Sequence, residues 1–540
     1  MMAARESNVE TERAAAPATV APPGVGRNLA FVARGGGITF AGKMFLTGVR
    51  VVTAVALARL LQADQLGMYS LALSAANVAV AVAILGLDAA LVRYVAVLVS
   101  RKDDETLWGA LQIGIGVSLV FSVITGTILF ALAYPAADLL FHRPELAPLL
   151  QLVSVIVPML TLSEVLAGSI RGFKRMDQAA LAQFVAQPLI RLALIAILAW
   201  GGLSVAEAII TFGLADLAAS AILFHFLNRR FPLRRPLRQA RREFREIIDF
   251  SIPVWLSDMM VKFHGNFQTL ILGSLNTFTG VGIFTVASQM TTISSQFSSS
   301  MNVSAKPVVA ELHEKDDMVE MGRVYRTANK WGVIVQLPVF LLMVLFPEQL
   351  LAIFGESYTG GATALVIMAL ATLIIVGTGM GGIILDMAGY TKLKLVNSIV
   401  RLTVFIGLDL LLIPHWGVVG AAVAALAGET VVNFLRIGQV YYLFHLWPYD
   451  REFLKPVAAA ALAAAATLVA GRLWPPDESL VNAIVGMAVL GATYAGLTLL
   501  FGFTGEERAM AAAAWGRLGE LGRRAQAVMG RNKRPAVQEK

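Results

Sequence analysis

Between Gly35 and Phe503 the chain is a succession of apolar runs of about twenty residues and more, nearly free of charge and separated by short polar stretches. A run of that length crosses the roughly 30 Å hydrocarbon core of a bilayer as one helix. The runs lack the alternation of a membrane barrel strand, so the backbone must satisfy its hydrogen bonds within each segment, as α-helix. Fourteen runs are read: 35–61, 67–97, 107–134, 147–169, 178–200, 204–228, 247–272, 280–305, 328–346, 361–385, 393–413, 417–445, 453–473 and 480–503. Charged residues make up only 15% of the chain, against about 25% in an ordinary soluble domain. A water-soluble enzyme is thereby excluded. Cysteine is absent, so disulfides, thiolate metal centres and cysteine nucleophiles are excluded as well, and the six histidines form no HxxxH pair. No metal site is expected.

The net charge of +8 is a matter of position. The two tails and the loops after even-numbered runs hold 34 of the 44 Lys and Arg, and the loops after odd-numbered runs hold three: Arg59, Arg143 and Arg472. The positive-inside rule then predicts both termini in the cytoplasm. Residues 1–34, Ala-, Pro- and Glu-rich with scattered Arg, read as a disordered cytoplasmic tail. Arg229 to Arg245 contains eight arginines and reads as a basic linker resting on anionic headgroups or contacting a specific partner. Glu506 to Arg534 reads as an amphipathic helix on the inner leaflet.

The linker divides the first twelve runs into two sixes that repeat each other. Gly67-Met-Tyr-Ser-Leu-Ala opens the second run and Gly282-Ile-Phe-Thr-Val-Ala the eighth. Pro188-Leu-Ile-Arg191-Leu matches Ser398-Ile-Val-Arg401-Leu, and Asp216 falls opposite Glu429. Matches in the same order in both halves mark an internal repeat about an axis along the membrane normal. The expected architecture is an all-α membrane protein of about fourteen transmembrane helices. It comprises an N-lobe (35–228), the linker (229–246), a pseudo-symmetric C-lobe (247–445), two further helices (446–503) and a cytoplasmic amphipathic tail (504–540).

An ionised side chain at mid-bilayer costs at least ~2.5 to 3.5 kcal/mol, so those inside the runs normally face protein or water. Lys43 and Arg50 share one face of the first run with no acid on that segment, which suggests an anion site unless acids on other helices pair with them. Asp258 and Lys262, four apart, either satisfy each other or serve a substrate or ion. Arg191, Arg401, Asp216 and Glu429 read either as cross-lobe ion pairs or as a shared cavity lining. Arg93 reads as structural. Thr291 to Ser304 is largely polar, and with Gln289, Gln296 and Asn302 it reads as a wall of a water-filled cavity. Trp255, His264, Asn266 and Gln268 add an aromatic and amide surface suited to sugars. The phosphate-loop pattern GxxxxGK[ST] is absent, and no outward loop is long enough for a catalytic domain.

ARLLQADQLGMYSLA (Ala58–Ala72), LGLDAALVRYVA (Leu85–Ala96), RGFKRM (Arg171–Met176) and FSIP (Phe250–Pro253) resemble signatures of the Wzx-type polysaccharide-repeat-unit flippases. These belong to the multidrug/oligosaccharidyl-lipid/polysaccharide exporter superfamily. The resemblance covers about residues 35 to 450 and departs at Gln62 and Ala63, where Gly-Pro is usual. It implies translocation of an undecaprenyl-diphosphate-linked oligosaccharide across a bacterial plasma membrane by alternating access. Lys43, Arg50, Arg191, Lys262 and Arg401 would be headgroup candidates, and a polysaccharide polymerase and glycosyltransferases the expected partners. No cofactor and no nucleic acid are expected. Moving two negative charges outward across an inside-negative 100 mV gains about 4.6 kcal/mol, and coupling to H⁺ or Na⁺ through Asp216, Asp258 or Glu429 would supplement it. The alternatives are a cation-coupled multidrug exporter of the same superfamily and, from another class, a membrane polymerase or ligase.

Overall fold

A computed structural model describes residues 25–231, 244–473 and 480–502, and every described element is helical. Most of the N-terminal tail, positions 232–243 of the basic linker and the C-terminal amphipathic stretch lie outside the described residues. So do the side chains of Lys43, Asp258, Lys262 and His264. The helices are α1 (Val25–Ala83), α2 (Leu87–Arg101), α3 (Asp104–Pro135), α4 (Ala147–Gly172), α5 (Met176–Gly201, with a π-helical turn over Leu181–Ala186) and α6 (Val205–Arg230). They continue as α7 (Phe244–Leu275), α8 (Phe278–Ser294), α9 (Gln296–Glu314), α10 (Met318–Leu345), α11 (Ala362–Thr378) and α12 (Gly381–Met387). The last three are α13 (Thr391–Phe444), α14 (Leu454–Leu473) and α15 (Leu480–Leu500). Ten of the described helices are long and apolar enough to cross a membrane. Polar caps set several starts: Asp103 accepts from the Thr106 N–H at 3.0 Å, Ser204 and Glu207 form a reciprocal capping box, and Thr277 accepts from the Gly280 N–H at 3.1 Å.

Two helices bend so sharply that each carries two apolar runs. In α13 the bend is Gly417, at φ 53° and ψ −126°. Leu412 meets Gly420, Arg401 meets Glu429 and Asn397 meets Gln439, so partners are spaced symmetrically about the bend and the arms lie antiparallel. Glycine suits the position through the left-handed φ, and the Asn276 amide, 2.6 Å from where a Cβ would stand, would have to swing aside for any other residue.

In α1 the bend is Gln62, at φ 56° and ψ 178°. That region is essentially glycine-only and costs other residues ~1 to 3 kcal/mol. It is one of the two positions where the sequence departs from the Gly-Pro of the flippases it resembles. Gln62→Gly is expected to stabilise the protein by about 1 kcal/mol after the entropic cost of glycine. The measurement is the thermal unfolding midpoint in detergent, and a lowered midpoint contradicts the assignment of strain.

The apolar core explains how the halves sit together. At the end that carries Arg59 and Arg143, one core runs through both halves, joining Leu61, Leu150 and Ile209 to Phe278, Tyr358 and Ile413. At the end that carries the basic loops the cores are separate. Leu91, Leu111 and Leu223 form one, and Met301, Tyr325 and Val440 the other. The halves therefore share one core at the first end, whereas at the basic end the start of α7, through Ile247, Phe250 and Trp255, joins the first half's core and the rest of the second half keeps its own. α14 and α15 lie on the flank of α10, where Ala459, Ala463 and Leu490 pack on Val333 and Leu337, and the Tyr494 hydroxyl donates to the Ile334 carbonyl at 2.9 Å.

Candidate functional site

A clasp whose two sides repeat each other holds the closed end. Gly67 on α1 lies against the Phe278 carbonyl, and Gly282 on α8 lies against the Ala63 carbonyl; a Cβ on either glycine would overlap that oxygen. Gly67 and Gly282 are the matching positions of the sequence repeat, and Ala63 and Phe278 each stand four residues before them. The contacts are reciprocal, and only glycine lets the backbones come so near. Around it the Arg59 Nε donates to the Ile353 carbonyl at 2.9 Å and the Tyr358 hydroxyl donates to the Ala58 carbonyl at 3.0 Å. The Thr279 hydroxyl donates to the Asp64 carboxylate at 3.4 Å, and the Arg143 guanidinium stands over the Phe278 ring.

Beneath the clasp is a cavity of about 750 Å³ between the halves. Leu57, Leu66 and Phe284 roof it. Its walls are mixed: Leu73, Met368 and Ile375 are among the apolar side chains, and between them Thr53, Ser70, Ser74 and Gln187 from the first half and Gln268, Thr285, Ser288, Gln289, Thr291, Thr292 and Ser295 from the second supply polar groups. Farthest from the clasp, the rim residues Arg50, Gly265 and Thr292 are exposed.

Two arginines supply the charge. Arg50 reaches the Phe184 ring, on the π-helical turn of α5, at 5.5 Å from its centroid. Arg191 donates to the Tyr69 hydroxyl and stacks on Phe212 at 4.9 Å, an aromatic cradle that fixes its fork toward the cavity. Among the described residues neither forms an ion pair, and the Arg191 Nε is buried without a partner. A guanidinium fork turned to a cavity offers charge-assisted hydrogen bonds of the kind an anion accepts.

The repeat-equivalent residues behave differently in the second half. Arg401 pairs with Glu429 at 3.2 Å, and Glu429 also accepts from the Asn433 amide at 3.3 Å. Glu429 borders the cavity with its charge compensated. Asp216, 7% exposed, lies beside Ser163 and Gln187 and makes no ion pair with Arg191 among the described residues. Sequence symmetry thus conceals an asymmetry, with one arginine turned to an acid and its counterpart turned to the cavity.

Of the remaining candidates, Gln289 lines the cavity, whereas Gln296, Asn302 and Asn266 do not. The Gln296 amide turns back to the Thr292 carbonyl at 3.4 Å, Asn302 sits at Gly379, and Asn266 accepts from the Asn77 amide at 3.4 Å. A helix offers one strip to a cavity, and on this segment the lining ends at Ser295. Trp255 needs correction as a cavity residue: its indole N–H donates to the Ala81 carbonyl at 2.7 Å, and its ring packs in the core of the first half. There it helps dock α7, together with Arg93 over the Phe250 ring at 4.3 Å and the Tyr94 hydroxyl donating to the Glu246 carbonyl at 3.0 Å. One acid escaped the sequence reading. Asp409 is fully buried in α13, where the Gln268 amide reaches one oxygen at 3.3 Å and the other has no hydrogen-bond partner among the described residues. Its only sequence signal is a lone acid in an otherwise apolar run.

Known proteins match this geometry. The family described as polysaccharide biosynthesis protein matches residues 32–313, just over half of the chain, and the MatE family matches 253–411. Stage V sporulation protein B of Bacillus subtilis (strain 168) is 23% identical over 415 residues, which cover 72% of this chain and 79% of that protein. Probable flippase AglR of Haloferax volcanii is 24% identical over 210 residues, 38% of this chain and 42% of that one. Among solved structures, lipid II flippase MurJ in an inward closed conformation superposes with a TM-score of 0.69 at 12% identity, over 86% of this chain and 98% of that chain. An inward-facing multidrug resistance MATE family transporter of the MOP superfamily superposes at 0.63 with 19% identity, over 74% and 94%. At those identities the structural likeness speaks for the fold.

Proposed function

Because this chain belongs to the polysaccharide biosynthesis protein family, whose relatives are membrane transporters rather than enzymes, we propose a specific cargo: an undecaprenyl-diphosphate-linked oligosaccharide repeat unit, flipped across a bacterial plasma membrane. The observation that carries this reading is the pair Arg50 and Arg191, two cations that form no ion pair among the described residues, facing one cavity that hydroxyls and amides line together with apolar side chains. The diphosphate would dock on the arginines, the sugars on Gln268, Gln289 and the Ser/Thr wall, and the prenyl chain would stay in lipid. Lys43 and Lys262 would add to the cationic surface.

In this reading fourteen helices form two six-helix lobes and a C-terminal pair, with both termini and all basic loops cytoplasmic. The cavity is then open to the cytoplasm and sealed outward by the Gly67–Gly282 clasp. Rocking of the lobes would break the clasp and bring the basic ends together. The inside-negative potential favours outward passage of the diphosphate, and Asp216, Asp258, Glu429 and Asp409 are the carboxyls through which H⁺ or Na⁺ coupling would run. A polymerase and glycosyltransferases would supply and consume the cargo.

The MatE match makes a cation-coupled multidrug exporter the second reading. That activity calls for an acidic cavity, and here Glu429 is compensated by Arg401. Depletion in the native host separates the two. The flippase reading expects lipid-linked oligosaccharide to accumulate on the inner leaflet with drug tolerance unchanged, and the opposite pair of results would reject it.

A further inference from the structure

We propose that Lys306 is a capture cation at the mouth of the cavity, and that the exposed face of α9 leading from it is the track along which the anionic headgroup enters. The proposal rests on the reading of the cargo as a lipid-linked anion. By charge count Lys306 belongs with the basic loops, but α9 runs to Glu314, which places Lys306 eight residues inside a helix, roughly 12 Å from its end. One face of α9, bearing Met301, Ala305, Val308 and Leu312, is buried in the core of the second half. The opposite face is exposed at Ser299, Val303 and Lys306.

That exposed face continues a strip that begins at Thr292 in the cavity wall, since 292, 299, 303 and 306 fall on one side of a helix at 100° per residue. The strip from Thr292 to Lys306 is about 21 Å long at 1.5 Å per residue. A lipid-facing placement of this strip would set the Thr292 and Ser299 hydroxyls and the Lys306 ammonium against lipid. Lys306 makes no ion pair among the described residues. A cation at the wide, basic-side end of a polar strip meets a diphosphate before Arg50 does and raises its local concentration at the rim.

The natural absence of cysteine makes the test direct. Single cysteines replace Thr292, Ser299, Val303 and Lys306, with Met301→Cys as the buried control, in the full chain in inside-out vesicles. A charged, membrane-impermeant methanethiosulfonate is expected to label the four strip positions and spare the control, and undecaprenyl diphosphate added to the vesicles is expected to slow labelling at 292, 299 and 306. Lys306→Gln is expected to raise the half-saturating concentration of undecaprenyl diphosphate roughly threefold to tenfold at low salt, with the effect vanishing at high salt and reversed in Lys306→Arg. Labelling of the strip only by a membrane-soluble maleimide would overturn the proposal, because Lys306 would then be snorkelling from a lipid face. Protection at 292 without protection at 299 and 306 would leave the cavity reading standing and overturn the track. No protection anywhere would overturn both.

Discussion

Replacing Gly67 or Gly282 by valine is expected to lower flipping at least roughly tenfold while the protein still reaches the membrane. Each glycine lies against a carbonyl oxygen of the other half, and the overlapping atom is backbone, which cannot swing aside as a long side chain would. Overpacking in a core costs typically ~1 to 3 kcal/mol, and a rigid carbonyl on a helix places this case at the upper end. The cost falls only on the state in which this end is closed, so it shifts the population toward the state open at the Arg59 end. At about tenfold per 1.4 kcal/mol, the transport rate should fall by at least roughly tenfold. Alanine should act in the same direction, and the double variant should be the most severe. A cysteine at Leu57, in the roof of the cavity, should at the same time become reachable by a charged thiol reagent from the side opposite the basic loops. Normal transport by Gly67→Val would show that the crossing opens too little to matter.

The second large effect is expected from charge. Arg50→Gln and Arg191→Gln should each lower flipping of a diphosphate-linked substrate roughly tenfold to a hundredfold, since a charge-assisted hydrogen bond in such a site is worth about 1.5 to 3 kcal/mol. Arg191→Lys keeps the charge but loses the fork and the stacking on Phe212, so it should recover only part of the loss. The Arg401–Glu429 pair predicts the reverse pattern. Either residue replaced alone leaves a buried, uncompensated charge, whereas Arg401→Glu combined with Glu429→Arg restores the pair and should recover most of the activity. If the swap were as damaging as Arg191→Gln, Arg401 would belong to the substrate site and the asymmetry between the halves would have no functional meaning.

The all-helical membrane fold and the matching places of Gly67 and Gly282 were legible, because apolar length and a repeated motif are properties of the chain alone. Partner choice was not. Arg191 and Arg401 occupy matching places in the repeat, yet which one meets an acid depends on helix rotations of a few tens of degrees that no periodicity encodes. Trp255, Asn266, Gln296 and Asn302 share a polar or aromatic character that suggested a cavity, but only one strip of each helix faces it, and after α8 the lining stops at Ser295. Asp409 was invisible because it has no charged neighbour at helical spacing. Lys306 was counted with the loops because the polar sequence of α9 ends the hydropathy signal before the helix itself ends. At Gln62 the departure from Gly-Pro looked neutral as letters and became a strained residue only once its φ was known.

The most direct test of the central claim places the purified full-length chain in proteoliposomes carrying undecaprenyl-diphosphate-linked oligosaccharide, with a membrane-impermeant glycosidase outside. The account predicts that the protected inner-leaflet fraction becomes cleavable only when the protein is present, faster under a potential that draws anions toward the glycosidase, and not with Arg50→Gln/Arg191→Gln. Oligosaccharide that keeps its sidedness in vesicles where the same protein moves a cationic drug would contradict it.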